Sequence, residues 1–258
     1  MKTLHANRLG EGQDLIIIHG FLGMGDNWKS LGKKWADLGY CVHLLDMRNH
    51  GKSFHDDEFN YQVMTQDVIN YILNQNIKNT YIIGHSMGGK IAMQLATQDP
   101  KLVKKLVIVD ITPRYYPRHH DYILNGLAIL DRNQLESRKE ADKLLSEQIK
   151  DIGIRQFLLK NLHRDENKQL KLRINLHAIQ KNLDEIGKGL SEHAQFSGST
   201  LFVKGEKSTY IKNSDQNLIH YHFPNADLKT IEKAGHWVHA EQAKAFFNLV
   251  NEYFITSN

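Results

Sequence analysis

Short apolar runs rich in Ile and Val recur along the chain, at residues 15–19, 42–46, 81–85, 106–110 and 201–205, with a weaker one at 227–231. Their near-continuous apolarity fits strands buried on both faces of a parallel sheet. Amphipathic stretches separate them. Asp26 is placed to N-cap a helix whose Trp28, Leu31, Trp35 and Leu38 share one face, with Gly39 ending it. Met64, Val68, Tyr71 and Ile72 form a second stripe, and Met87, Ile91 and Leu95 a third that stops at Asp99-Pro100. Phe246, Phe247, Val250 and Phe254 make a C-terminal one. Strand alternating with helix predicts an α/β fold of βαβ units around a mostly parallel central sheet flanked by helices.

The alternation breaks after Asp110. Pro113 and Pro117 bracket Arg-Tyr-Tyr, and no strand-like run follows until Leu201. Residues 111–190 are instead Leu-, Lys- and Gln-rich with helical spacing. This segment reads as a helical insertion within one domain whose core is 1–110 and 191–258.

Composition narrows the class. At 258 residues with 41% hydrophobic positions the chain has ample material for one large core. Cys41 is the only cysteine, which excludes an intrachain disulfide and reads as a small buried hydrophobe. Residues 1–12 lack the apolar stretch of a secretory signal, and no run nears the ~18–20 residues that span a bilayer. A cytoplasmic protein with no membrane span is the expectation. The net charge of +4 is too small to argue for nucleic acid. It is uneven, however: residues 111–190 carry 15 Lys+Arg against 11 Asp+Glu, and the remainder balances.

Candidate chemistry starts at Gly84-His85-Ser86-Met87-Gly88-Gly89, between a predicted strand and a predicted helix. A strand turning abruptly into a helix holds such a serine in a strained conformation and exposes its hydroxyl. The flanking glycines allow close passage of neighbouring backbone. The motif alone also fits an ordinary Gly-rich turn. His19-Gly20-Phe21-Leu22-Gly23 follows the first strong strand and can bring the Phe21 amide beside that of Met87, two donors for an oxyanion. His19 itself reads as a structural hydrogen-bonding residue. Ala234-Gly235-His236-Trp237 lies after the last strand-like run, where a general base is expected, with His239 as its rival. Metal-dependent hydrolysis has little support, since no His-Glu-x-x-His pattern occurs and His119 and His120 are adjacent.

The elbow, the His-Gly loop and the late Gly-His, in this order, resemble an α/β-hydrolase. The further stretch Asp46-Met47-Arg48-Asn49-His50-Gly51 resembles the Arg-Asn-His-Gly signature of the YbfF-like bacterial esterases and their eukaryotic relatives. The resemblance implies an α/β-hydrolase fold with a helical cap inserted after the strand ending at Asp110. It further implies a cofactor-free serine hydrolase acting on small-molecule acyl esters or thioesters, coenzyme A thioesters among them, through an acyl-Ser86 intermediate. Other cofactor-free chemistry on this scaffold (haloperoxidase, carbon–carbon hydrolase or lyase) and a non-catalytic binding protein are the alternatives. Arg48, Asn49 and His50 read as a loop-stabilising network rather than as direct participants.

The acid of the triad is less plain. Most α/β-hydrolases carry it just beyond the glycine equivalent to Gly205, where this chain has Ser208. Asp110 ends the strand after the nucleophile strand, at the C-terminal edge of the sheet, and the YbfF-like pattern places an acid there. Glu206 is the runner-up, and Asp215 reads as a helix cap. Leu22, Tyr115 and Tyr116 are the candidate substrate contacts. Phe157, Leu158 and Leu159 could add apolar lining, although a Leu stripe is more often packing. Oligomeric state is not legible.

Overall fold

The computed structural model describes residues 2–256. Seven strands form one sheet: β1 (Ala6–Leu9), β2 (Gln13–Ile18), β3 (Tyr40–Leu45), β4 (Thr80–His85), β5 (Val103–Val109), β8 (Thr200–Gly205) and β9 (Ala226–Ile231). Their order across the sheet is β1-β3-β2-β4-β5-β8-β9. Only β1 runs antiparallel to its neighbour. The apolar runs are continuous because both faces of the central strands are covered. Leu15, Ile17, Leu44, Ile83 and Val107 face α1 (Lys29–Asp37) and the C-terminal helix Ala243–Ile255. Ile16, Ile18, Ile82, Leu106 and Ile108 face the side of α2 (Tyr61–Asn74) and α3 (Met87–Gln98). Burying each Leu or Ile this way contributes about 1.5–3 kcal/mol before entropy is counted.

Between β5 and β8 the chain leaves the sheet. It forms α4 (Asp121–Arg132), α5 (Arg138–Gln148), α6 (Ile152–Leu159) and α7 (Leu176–Lys181).

 Helix α6 buries Leu158 and Leu159. A two-stranded hairpin, β6 (Leu162–Arg164) and β7 (Leu170–Leu172), lies between α6 and α7. The expectation of no strand before Leu201 is therefore corrected. Each of these strands has three residues, too few for an alternating pattern to register. Strand β1 was missed for a similar reason, being a four-residue edge with one exposed and three half-buried side chains.

Three smaller expectations also change. Asp26 lies inside a 3-10 turn, Gly25–Trp28, and accepts from Asn7 Nδ2 (2.9 Å) instead of capping α1. Leu38 is 53% exposed, one residue beyond the end of α1 and off its buried face. Asp215 stands at the N-cap position of α8 (Gln216–His222), but its carboxylate accepts from Lys212 N (2.8 Å) and pairs with Arg114. Helix α3 stops at Gln98, ahead of Asp99-Pro100, as the sequence predicts.

Candidate active site

Ser86 sits between β4 and α3 with φ 53° and ψ −116°, a conformation that L residues rarely adopt. The glycines around it are demanded by contact. A Cβ on Gly84 would meet Gly88 O at 2.3 Å, and one on Gly88 would meet Ile18 O at 2.2 Å. The turn is thereby pressed against β2, and the Ser86 side chain projects beyond the C-terminal edge of the sheet. Met87 opens α3, so its N–H has no acceptor within the helix. Among the described residues the Phe21 N–H likewise donates to no protein acceptor.

Three side chains from distant positions converge there. His236 Nε2 lies 3.1 Å from Ser86 Oγ, and His236 Nδ1 lies 2.7 Å from Asp110 Oδ2. Asp110 is fully buried and follows β5 at φ 52°. Its Oδ1 accepts from Gly205 N (3.2 Å), and its Oδ2 also accepts from Ser208 Oγ. A buried carboxylate needs such donors, because an unpaired charge in the interior is costly. Glu206 is elsewhere, accepting from Lys233 N (2.8 Å). His239 stacks on Trp28 (3.9 Å between centroids, 8° between planes) and does not reach Ser86.

The imidazoles around this group are held neutral. Burial pushes His239 and His120 down to about 3, with neighbouring histidines adding to the effect. Burial, then His239 and His236, pushes His85 well below its ordinary value, and His85 Nε2 meets His236 O at 2.9 Å. His19 also fits the structural part read for it, with Nε2 accepting from Met47 N (3.0 Å) and Nδ1 on Gly20 O (2.8 Å). Arg48 grips Asp67 through Nε (2.6 Å) and Nη2 (2.9 Å), and Asn49 and His50 bond to neighbouring loops.

Two cavities flank Ser86. The larger, about 260 Å³, is lined by Phe21, Leu22, Ile123, Ile154, Phe157 and Leu158 beside the polar group. The smaller, about 30 Å³, runs past Tyr61, Met87, Tyr115 and Tyr116. Leu22, Tyr115 and Tyr116 thus all border space next to Ser86. Tyr115 is 61% exposed at the rim, whereas the Tyr116 hydroxyl is committed to Thr112 N (3.0 Å) and Tyr210 O (2.8 Å). Leu159 borders neither cavity and is buried in the helical packing. Tyr210 was missed by sequence reasoning: its ring stacks on His236 at 3.8 Å, and burial pushes its hydroxyl up to about 12. Trp237, Ile154 and His120 were also missed, and nothing in their local sequence marks them.

Away from the site, Asp14, Cys41 and His43 bring ligand-type atoms within 4.8 Å of one another. Cys41 is buried as expected, yet it is more than an apolar filler. Its Sγ accepts from Arg8 Nε (2.9 Å), and His43 bonds Asp14 (3.0 Å) and Tyr71 (2.8 Å). The cluster is satisfied by its own contacts and by a guanidinium. Among the described residues no helix is long and apolar enough to cross a membrane.

Comparison with known proteins agrees with this architecture. The family described as "alpha/beta hydrolase fold" matches residues 15–243. A solved structure titled "Marine microorganism esterase" superposes with a TM-score of 0.94 at 40% identity, covering 98% of this chain and 100% of that one. The mouse (Mus musculus) sn-1-specific diacylglycerol lipase ABHD11 is 37% identical over 246 residues, 93% of this chain and 80% of that protein. Esterase YbfF of Escherichia coli is 31% identical over 240 residues, 93% and 92% of the two chains. With its mostly parallel seven-stranded sheet, its strained serine turn and the helices inserted between β5 and β8, the chain belongs to the α/β-hydrolase family and is an esterase/lipase-type hydrolase of the YbfF-like kind.

Proposed function

We propose that the chain is a carboxylesterase that cleaves small-molecule acyl esters, with thioesters open to the same chemistry, through an acyl-Ser86 intermediate. The observation that carries the reading is the unbroken line from Asp110 Oδ2 through His236 to Ser86 Oγ, with contacts of 2.7 and 3.1 Å. A serine hydroxyl is a poor nucleophile until its proton has somewhere to go. His236 Nε2 takes that proton as Ser86 Oγ attacks the acyl carbon. Asp110 fixes the tautomer that leaves Nε2 free and stabilises the cation that forms. The amides of Phe21 and Met87 receive the oxyanion, an effect worth ~3–4 kcal/mol per donor in comparable sites. His236 then returns the proton to the leaving alcohol or thiol. Water, activated by the same imidazole, attacks the acyl carbon, releases the acid and restores Ser86.

The larger cavity fits an acyl chain, since Leu22, Ile123, Ile154, Phe157 and Leu158 offer apolar lining next to Ser86. The similarity to a diacylglycerol lipase supports an ester substrate with an apolar acyl group. The excess positive charge in residues 111–190 supports anionic leaving groups such as coenzyme A more weakly, because a solvated helical face is the better explanation of it. A series of p-nitrophenyl esters of increasing acyl length, run beside the matching acyl-CoA thioesters at low and high salt, tests the reading. Ester turnover abolished by Ser86→Ala is expected. Acyl-CoA turnover that falls with salt adds electrostatic steering by the cap, and salt-independent turnover removes it. Ester turnover undiminished in Ser86→Ala overturns the proposal.

A further inference from the structure

The Arg48-Asn49-His50 stretch touches neither Ser86 nor His236, yet it ends on the loop that carries Phe21. That loop is a turn from Gly20 to Gly23, closed by Gly23 N donating to Gly20 O at 2.9 Å. Its third residue, Leu22, has φ 59°, in the left-handed region that favours glycine. A leucine in that region is under strain of about 1 kcal/mol or more, and it stays there only if its surroundings over-determine it.

Both polar atoms of Leu22 are held. Leu22 N donates to His50 Nε2 at 3.2 Å, and Leu22 O accepts from Asn161 Nδ2 at 2.9 Å. His50 comes from the loop after β3, and Asn161 from the cap, in the turn between α6 and β6. His50 Nδ1 lies 2.9 Å from Arg48 O, so the proton sits on Nδ1 and the lone pair on Nε2 faces Leu22. Burial, with His19 adding to it, pushes His50 down to about 3, which keeps that lone pair available. Asn161 is fully buried, and its Oδ1 has no hydrogen-bond partner. Leaving that oxygen unsatisfied costs about 1–3 kcal/mol, so the amide is retained at a cost while its Nδ2 makes a single contact with Leu22.

The cap also reaches the other side of the clamp. Asn175 N donates to Asn49 O (3.0 Å), and Asn175 Nδ2 donates to Asn49 Oδ1 (3.2 Å), one residue before His50. The cap therefore grips the Phe21-Leu22 turn directly through Asn161 and indirectly through Asn49.

We infer that Asn161 and His50 are positioning residues that clamp the Leu22 peptide from opposite sides, so that seating of the cap completes the oxyanion hole at Phe21. The inference rests on the proposed reading of the Phe21 amide as an oxyanion donor. Releasing either bond lets Leu22 relax to negative φ, which rotates the backbone beside Phe21 and loosens its N–H.

The test uses the full chain with Asn161→Ala, Asn161→Leu, His50→Leu and His50→Gln, and Ser86→Ala as reference. Three quantities are measured: kcat and KM on the best p-nitrophenyl ester, inhibition by a trifluoromethyl ketone of the same acyl chain, and the thermal midpoint. Both Asn161 variants and His50→Leu are expected to lower kcat ~10–100-fold with KM changed less than about threefold. Ketone affinity should fall by a similar factor, because the bound hemiketal carries the oxyanion. His50→Gln keeps an acceptor for Leu22 N and should recover most of the loss. Should the Asn161 variants fail to fold, the pair His50→Leu and His50→Gln decides by the same criteria. A kcat within twofold of the parent, or a loss confined to KM with unchanged ketone affinity, overturns the clamp. Turnover in Ser86→Ala would defeat the serine reading itself, whereas an inactive Ser86→Ala beside fully active Asn161 and His50 variants defeats only the clamp.

Discussion

Ser208 Oγ donates to Asp110 Oδ2, the same carboxylate oxygen that lies 2.7 Å from His236 Nδ1. The hydroxyl follows β8, where many α/β-hydrolases carry their acid, while the carboxylate follows β5, one strand over in the sheet. A serine at position 208 leaves room for an acid to approach from the neighbouring strand, and it supplies a donor besides. Asp110→Asn is expected to lower kcat ~10³–10⁴-fold, because an amide favours the wrong tautomer of His236. Glu206→Gln, whose carboxylate faces Lys233 N instead, should stay within about threefold. Steady-state kinetics of the two variants check this, and the reverse pattern would move the acid to Glu206.

Buried neutral histidines make the fold sensitive to acid. Burial lowers His19 to about 4 and His50 and His239 to about 3, against an ordinary 6.5. Each folded value lies below the unfolded one, so the unfolded chain takes up protons first as pH falls. Their contribution to stability is whole above about pH 6.5 and is lost on descending towards the folded values. The loss is of order 1.4 kcal/mol per pH unit for each histidine. Urea unfolding at pH 7 and pH 5 should show a clear drop in midpoint, made shallower by His239→Phe. Equal midpoints at the two pH values would contradict the burial argument.

Phe157 packs against Trp237 (5.6 Å between centroids) and borders the larger cavity. Phe157→Trp should move the acyl-length optimum of kcat/KM towards shorter chains, and Phe157→Ala towards longer ones. A methylene in an apolar pocket is worth about 1–3 kcal/mol, so tenfold changes at the ends of the series are within range. An unchanged profile in both variants would put the acyl chain elsewhere.

What was legible in the sequence follows from how many neighbours an element's pattern must satisfy. Strands β2 to β5 are covered on both faces, so their apolar runs are unbroken and their positions readable. Strand β1 and the hairpin β6–β7 are short and partly exposed, and they left no pattern. The geometry around Ser86 was legible locally, because Gly84 and Gly88 are fixed by contacts within one turn. The convergence of Asp110 was legible only in part. Its place at the end of a strand put it at the C-terminal edge of the sheet, but which acid meets His236 depends on the order of strands across the sheet, and there the resemblance favoured it. Asn161 and Tyr210 lay further out of reach. Asn161 meets a residue 139 positions earlier, and Tyr210 stacks on an imidazole from another loop. Neither contact has a local sequence signal.

The central claim is that Ser86 Oγ is a nucleophile made reactive by His236. Labelling the purified chain with a fluorophosphonate probe, followed by peptide mapping, tests it most directly. The account predicts one adduct, on Ser86, formed at the rate at which esterase activity is lost and slowed at least ~10²-fold in His236→Ala. An adduct elsewhere, or full activity with Ser86 modified, would contradict it.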